Sequence, residues 1–119
     1  MAYLTRRRLM ATGAVALLAP QSRVALATTD ANRRFVAEAE RMRREAIAAG
    51  DQGFGAVVVK DGVIVGWGPS RVVTDRNPDA HAERVALWDA ERRLGSVKVA
   101  GAIVYATFRP CSACQNALA

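Results

Sequence analysis

Asp61-Gly62 falls between two runs of β-branched residues, Val57-Val58-Val59 and Val63-Ile64-Val65. A two-residue Asp-Gly link in that setting is a hairpin signal, because both central residues of a type I′ turn need φ > 0. The spacing predicts antiparallel strands over 55–60 and 63–67. Helical patterns flank this hairpin. Phe35, Ala39, Met42 and Ala46 fall at i, i+4, i+7 and i+11, a single apolar stripe. They predict a helix capped by Asp30 and running to about Ala49, with Gly50 as its stop. Arg33, Arg34, Glu38, Arg41 and Glu45 lie on its other faces and read as a solvated surface. Residues 68–79 hold Pro69, Ser70, Asn77 and Pro78 and read as a loop.

A second helix is predicted from Ala80 to Leu94, capped by Asp79 and ended by Gly95. Glu83, Leu87, Ala90 and Leu94 would share one face, with Ala86 beside them. A third strand follows over 102–107, and Pro110 opens a last helix over 111–119. The order is α-β-β-α-β-α, an α/β chain of one domain at most. A helical crossover before the third strand predicts that it lies parallel to its neighbour, giving a mixed sheet.

Residues 1–27 read separately. Arg6-Arg7-Arg8 precedes an apolar run from Leu9 to Ala19, Pro20 ends it, and Ala25-Leu26-Ala27 offers an A-x-A cleavage site. The run is shorter than the roughly 20 residues that span a bilayer. Thr5-Arg6-Arg7-Arg8-Leu9-Met10 resembles the twin-arginine export motif, and Ala11, Gly13, Ala14 and Ala16 dilute the apolar run as in that route. The expectation is a signal peptide over 1–27, a domain over 28–119, a periplasmic or secreted location, and no membrane anchor after cleavage. Charge then changes meaning. The whole chain carries +6, but Arg6, Arg7, Arg8 and Arg23 all lie in the signal, leaving +2. No basic stripe with interleaved aromatics remains, which argues against a nucleic-acid partner. With 51% hydrophobic and 24% charged residues, the chain is not disordered or low-complexity.

The chain has one histidine, His81, and two cysteines, Cys111 and Cys114. Two cysteines exclude a disulfide-dense scaffold. All three residues fall at predicted helix starts, and cysteines at i and i+3 face the same way. A helix N-terminus favours the thiolate, the form that binds metal. One His and two Cys supply three ligands of a tetrahedral zinc site. Structural zinc sites use four protein ligands and catalytic ones use three. Glu83 lies two residues after His81, where its carboxylate can meet the site only above the helix N-terminus. Partial burial there would raise its pKa toward the range useful for proton transfer. Two readings remain open: Glu83 as a helix-dipole partner, and Cys111-Cys114 as a redox dithiol.

His81-Ala82-Glu83, then 26 residues, then Pro110-Cys111-Ser112-Ala113-Cys114 carries the H-x-E…P-C-x-x-C signature of zinc nucleobase deaminases. The chain resembles the cytidine and deoxycytidylate deaminase superfamily, nearest the guanine deaminase and tRNA adenosine deaminase branch. Phe54-Gly55-Ala56-Val57-Val58-Val59 is similar to that branch's first strand, and Asn77-Pro78-Asp79-Ala80-His81-Ala82-Glu83 to its second-helix entry. The resemblance covers about Phe35 to the C-terminus. It implies a three-layer α-β-α sandwich, here lacking the family's last strands and helices. It implies one Zn2+ held by His81, Cys111 and Cys114. Glu83 would carry a proton from zinc-bound water to the ring nitrogen and leaving amine.

The resemblance further implies substrate contacts from the Ala82 backbone, Ser70 and Phe54, a nucleobase or nucleoside of guanine, cytosine or adenine type as partner, and a homodimer. Two positions depart from the branch: Ser70 lies near its usual Asn, and Arg109 stands where Glu is usual. A chain ending five residues after Cys114 also raises the expectation of an inactive, truncated fragment. Activity on tRNA adenosine is the further alternative.

Overall fold

A computed structural model describes residues 19–97 and 99–119, with side chains from residue 29. The Asp61-Gly62 turn has φ of 51° and 76°, as a type I′ turn requires. It joins β1 (Gly55–Lys60) to β2 (Val63–Pro69). Lys60 pairs with Val63 at the turn and Gly55 with Pro69 at the far end, and the register slips between Val58 and Val59. The slip leaves Val65 as an extra residue on β2, a bulge on an edge strand. Pro69, which lacks an N–H, is tolerated at the end of that edge strand.

The third strand, β3 (Ile103–Ala106), pairs with β1, and it does so antiparallel. The sheet order is β2-β1-β3. The expected mixed sheet is therefore corrected: both described pairings are antiparallel. β2 and β3, joined through a helix, do run the same way, but β1 lies between them.

Helices cover both faces, giving three layers. α1 (Ala19–Ala48) packs Phe35, Ala39 and Met42 on Val57 and Val59. α2 (Ala82–Leu94) packs Ala82, Ala86 and Ala90 on Ala56 and Val58. Alternate residues of β1 thus serve opposite layers, as the two-residue period demands. Trp67 links the layers at the sheet edge. Its ring nitrogen donates to Glu38 of α1 at 3.1 Å, its backbone N–H donates to Asp89 of α2 at 3.0 Å, and the Arg93 guanidinium stands 4.7 Å over its ring.

The α1 stripe is buried as predicted, but the helix does not start at Asp30. It begins at Ala19, with Pro20 in its first turn, and Asp30 sits inside it as an exposed partner of Arg33. The segment between Pro20 and Asp30 holds no breaker, so helix passes through the expected cap. The expected cleavage sequence Ala25-Leu26-Ala27 lies within α1, while Arg6-Arg7-Arg8 and most of the apolar run lie outside the described residues. Among the described residues no helix is long and apolar enough to cross a membrane.

α2 departs in two ways. His81, not Asp79, is its N-cap residue, and the buried stripe is Ala82, Val85, Ala86 and Ala90. Leu94 is 42% exposed and Leu87 only half-buried. The reason lies in β2. A Cβ on Gly66 would stand 2.2 Å from the carbonyl oxygen of Ala86, and one on Gly68 2.1 Å from that of Ala82. Such close approach requires the alanine face, and the leucines rotate outward. Gly95 ends the helix in the left-handed region as expected. The last helix, α3, is Ser112–Leu118.

Candidate metal centre and substrate cavity

β2 and β3 point the same way on either side of β1, so the segments after them leave from one end of the sheet. Both hang on the start of β1. The Ser70 N–H donates to the carbonyl of Phe54, and the Thr107 N–H to that of Gly55, each at 3.0 Å. Gly55 N–H donates back to the Thr107 hydroxyl at 3.1 Å. These anchors bring the N-termini of α2 and α3 together, with His81 and Cys111 as the two N-cap residues.

His81 Nδ1 lies 3.4 Å from Cys114 Sγ and 3.7 Å from Cys111 Sγ. All three ligand atoms fall within 4.8 Å of one another. Tetrahedral zinc with ordinary Zn–N and Zn–S bonds would set nitrogen and sulfur about 3.6 Å apart. The donor set and its spacing fit that ion. His81 makes no side-chain capping bond that would turn its ring away, and both cysteines are free thiols.

Glu83 does not join the ligand cluster. It is 8% exposed, and no side-chain hydrogen bond holds its carboxylate among the described residues. It lines a cavity of about 160 Å³ with His81, Ala82, Cys111, Phe54 and Ser70. Every site residue singled out in the sequence lines this cavity except Cys114, which is buried behind it. Gln52, Phe108 and Arg109 complete the wall. Phe54 and Phe108 meet with ring centroids 5.8 Å apart, tilted by 56°.

The family described as the cytidine and deoxycytidylate deaminase zinc-binding region matches residues 29–119. The chain belongs to that family. The guanine deaminase of Bacillus subtilis is 39% identical over 85 residues, covering 71% of this chain and 54% of the relative. Its crystal structure aligns with a TM-score of 0.68 at 37% identity, over 72% of this chain and 55% of that one. The tRNA-specific adenosine deaminase of Aquifex aeolicus is 36% identical over 84 residues, 71% of this chain and 56% of the relative. A structure solved with 2,6-diaminopurine aligns with a TM-score of 0.64 at 28% identity, over 71% of this chain and 48% of that one. The chain spans about half the length of the curated relatives it matches.

The thiols of this deaminase-family site differ sharply. The Cys114 N–H donates to Cys111 Sγ at 3.4 Å and holds the Cys111 thiol below its ordinary range. Burial pushes the Cys114 thiol up to about 12, and the hydrogen bond with Cys111 adds to the rise. A divalent cation between them would reverse the cost of ionising Cys114.

Ser70 is buried, and its hydroxyl is already engaged, donating to Asp51 Oδ1 at 3.0 Å. Asp51 went unnoticed in the sequence. Its carboxylate also accepts the N–H groups of Gln52, Val73 and Thr74 at 2.7, 3.0 and 2.8 Å. Burial alone would raise its pKa, but these hydrogen bonds outweigh that and hold it at about 2. The available signal was an Asp directly after the helix-ending Gly50, a position where its side chain takes up loose N–H groups.

Proposed function

We propose that this chain carries the zinc site of a deaminase that hydrolytically removes an exocyclic amine from a nucleobase or nucleoside. The observation that carries the reading is the shared cavity. An unpartnered, nearly buried Glu83 carboxylate faces the same space as His81 and Cys111. Zinc held by His81, Cys111 and Cys114 would act as a Lewis acid, bringing water toward hydroxide near neutral pH. Glu83 accepts the proton released by the attacking water. It passes that proton to the ring nitrogen, then takes the second proton of the same water from the added hydroxyl and delivers it to the amine, which leaves as ammonia while the ring carbon keeps the oxygen. The Phe54–Phe108 pair offers an apolar wall to a planar ring. The N–H groups of Ala82 and Glu83, at the start of α2, lack intrahelical acceptors and are free to bind the base edge.

Guanine heads the substrate list because of the similarity to a guanine deaminase. The similarity to a tRNA-specific adenosine deaminase supports tRNA adenosine as a second reading. Ammonia release from guanine, cytosine, adenine, their nucleosides and a tRNA anticodon stem should separate the two, with Glu83→Gln as control. Zinc-loaded protein silent on the whole panel overturns the proposal.

Export by the twin-arginine route belongs to the same reading, supported by Arg6-Arg7-Arg8 and the Ala-rich run after them. Arg6→Lys with Arg7→Lys should abolish appearance in the periplasm, and unchanged export would refute it.

A further inference from the structure

The two halves of the metal centre come from distant parts of the chain. His81 opens α2, whereas Cys111 and Cys114 sit on α3, a helix of only seven residues. A helix that short does not hold its shape in water unaided, and Cys114 is its one buried residue. Something has to hold the dithiol turn in register with the imidazole.

Arg84 spans that gap. Its Nη2 donates to the carbonyl of Ala113 at 3.1 Å, and Ala113 lies between the two cysteines. Its Nη1 pairs with Asp79 Oδ1 at 3.0 Å, in the segment leading into α2. The side chain is only 18% exposed, and its Nε is buried with no hydrogen-bond partner. An arginine that accepts an orphaned Nε–H while both terminal nitrogens are engaged is held for the geometry of its fork. Arg84 also stands three positions after His81, on the same side of α2.

We infer that Arg84 is a positioning residue: it bridges Asp79 and Ala113 to lock the Cys111–Cys114 turn against the His81 end of α2. The inference rests on the metal-centre reading. Arg84 makes no hydrogen bond to a ligand atom; its contact is with the backbone that carries the thiols.

The test is Co(II) binding by the full chain, read from the thiolate charge-transfer and d–d bands, with Zn(II) competition for affinity. Arg84→Met keeps the bulk of the stem and removes the fork. It should weaken metal binding about tenfold or more, the usual scale for removing a group that orients a ligand. Metal-free melting temperature should stay near that of the wild type. Arg84→Lys, which can make one contact but not both, should fall between. Asp79→Ala removes one arm at an exposed position, so it tests the bridge in a chain whose core is untouched; a smaller but measurable loss is expected.

Wild type that binds cobalt, beside Arg84→Met binding equally tightly, overturns the clamp alone. So does an affinity loss that merely tracks lost metal-free stability, or an Asp79→Ala variant indistinguishable from wild type. Wild type that binds no cobalt overturns the metal centre and the clamp with it.

Discussion

Gly68 lies so close to Ala82 that a Cβ on the glycine would stand 2.1 Å from the alanine's carbonyl oxygen and 2.4 Å from the Ala86 N. Both obstacles are backbone, so Gly68→Ala has to displace the first turn of α2. That turn follows His81 and contains Glu83. Overpacking of this kind costs about 1–3 kcal/mol. Gly55→Ala makes a similar clash, 2.2 Å from the carbonyl of Ala39, but against α1. Thermal melts should show both variants destabilised. Zinc titration should show affinity falling further in Gly68→Ala than in Gly55→Ala. Equal zinc affinity in the two would contradict this.

Asp51 gives the fold an acid-sensitive joint. Its pKa near 2 lies below the value of about 3.9 expected in the unfolded chain. The sign follows: Asp51 stabilises the fold above about pH 4, and that contribution is lost as pH falls toward 2. Denaturant melts across that window should show wild type losing stability faster than Asp51→Asn, which already lacks the contribution at neutral pH. Parallel curves would contradict the assignment.

The two thiols should respond differently to removal. Cys114 is buried and Cys111 exposed. Cys111→Ser should lose bound zinc, measured by elemental analysis, with little change in the metal-free melting temperature. Cys114→Ser should lose zinc and also destabilise the metal-free chain by about 1–3 kcal/mol, because it buries a hydroxyl in place of a thiol. Chelation should lower the melting temperature of wild type and leave both variants unmoved.

Phe108 is 66% exposed and packs on Phe54 at the cavity wall. Phe108→Ala should leave stability within about 0.5 kcal/mol. Stacking of a base on an aromatic ring is worth about 1–3 kcal/mol. On the proposed deaminase reading, with the base stacked on this ring, KM should rise about tenfold with kcat much less affected. A fall in kcat at constant KM would assign Phe108 another role.

What the sequence disclosed was local. The stripe Phe35-Ala39-Met42-Ala46 and the Asp61-Gly62 turn are written within one element each, so period and turn chemistry suffice to read them. His81, Cys111 and Cys114 were legible because their residue types are scarce and chemically specific. What escaped depends on contacts between elements. β3 pairs with β1 rather than β2 because of how the crossover packs. α2 turns Ala86 and Ala90 inward, not Leu94, because Gly66 and Gly68 let the backbones approach. Asp51 and Arg84 gain their importance from partners more than twenty positions away, and no spacing rule reaches that far.

His81 is separated from Cys111 by 30 positions and from Cys114 by 33. The intervening chain contains α2, the turn at Gly95 and β3. Tying those ends together closes a loop that an unfolded chain visits only rarely. Closing a loop of that length removes about 3–4 kcal/mol worth of chain entropy from the unfolded state. The triad is thus placed where a cross-link of any kind would staple the short α3 to the start of α2.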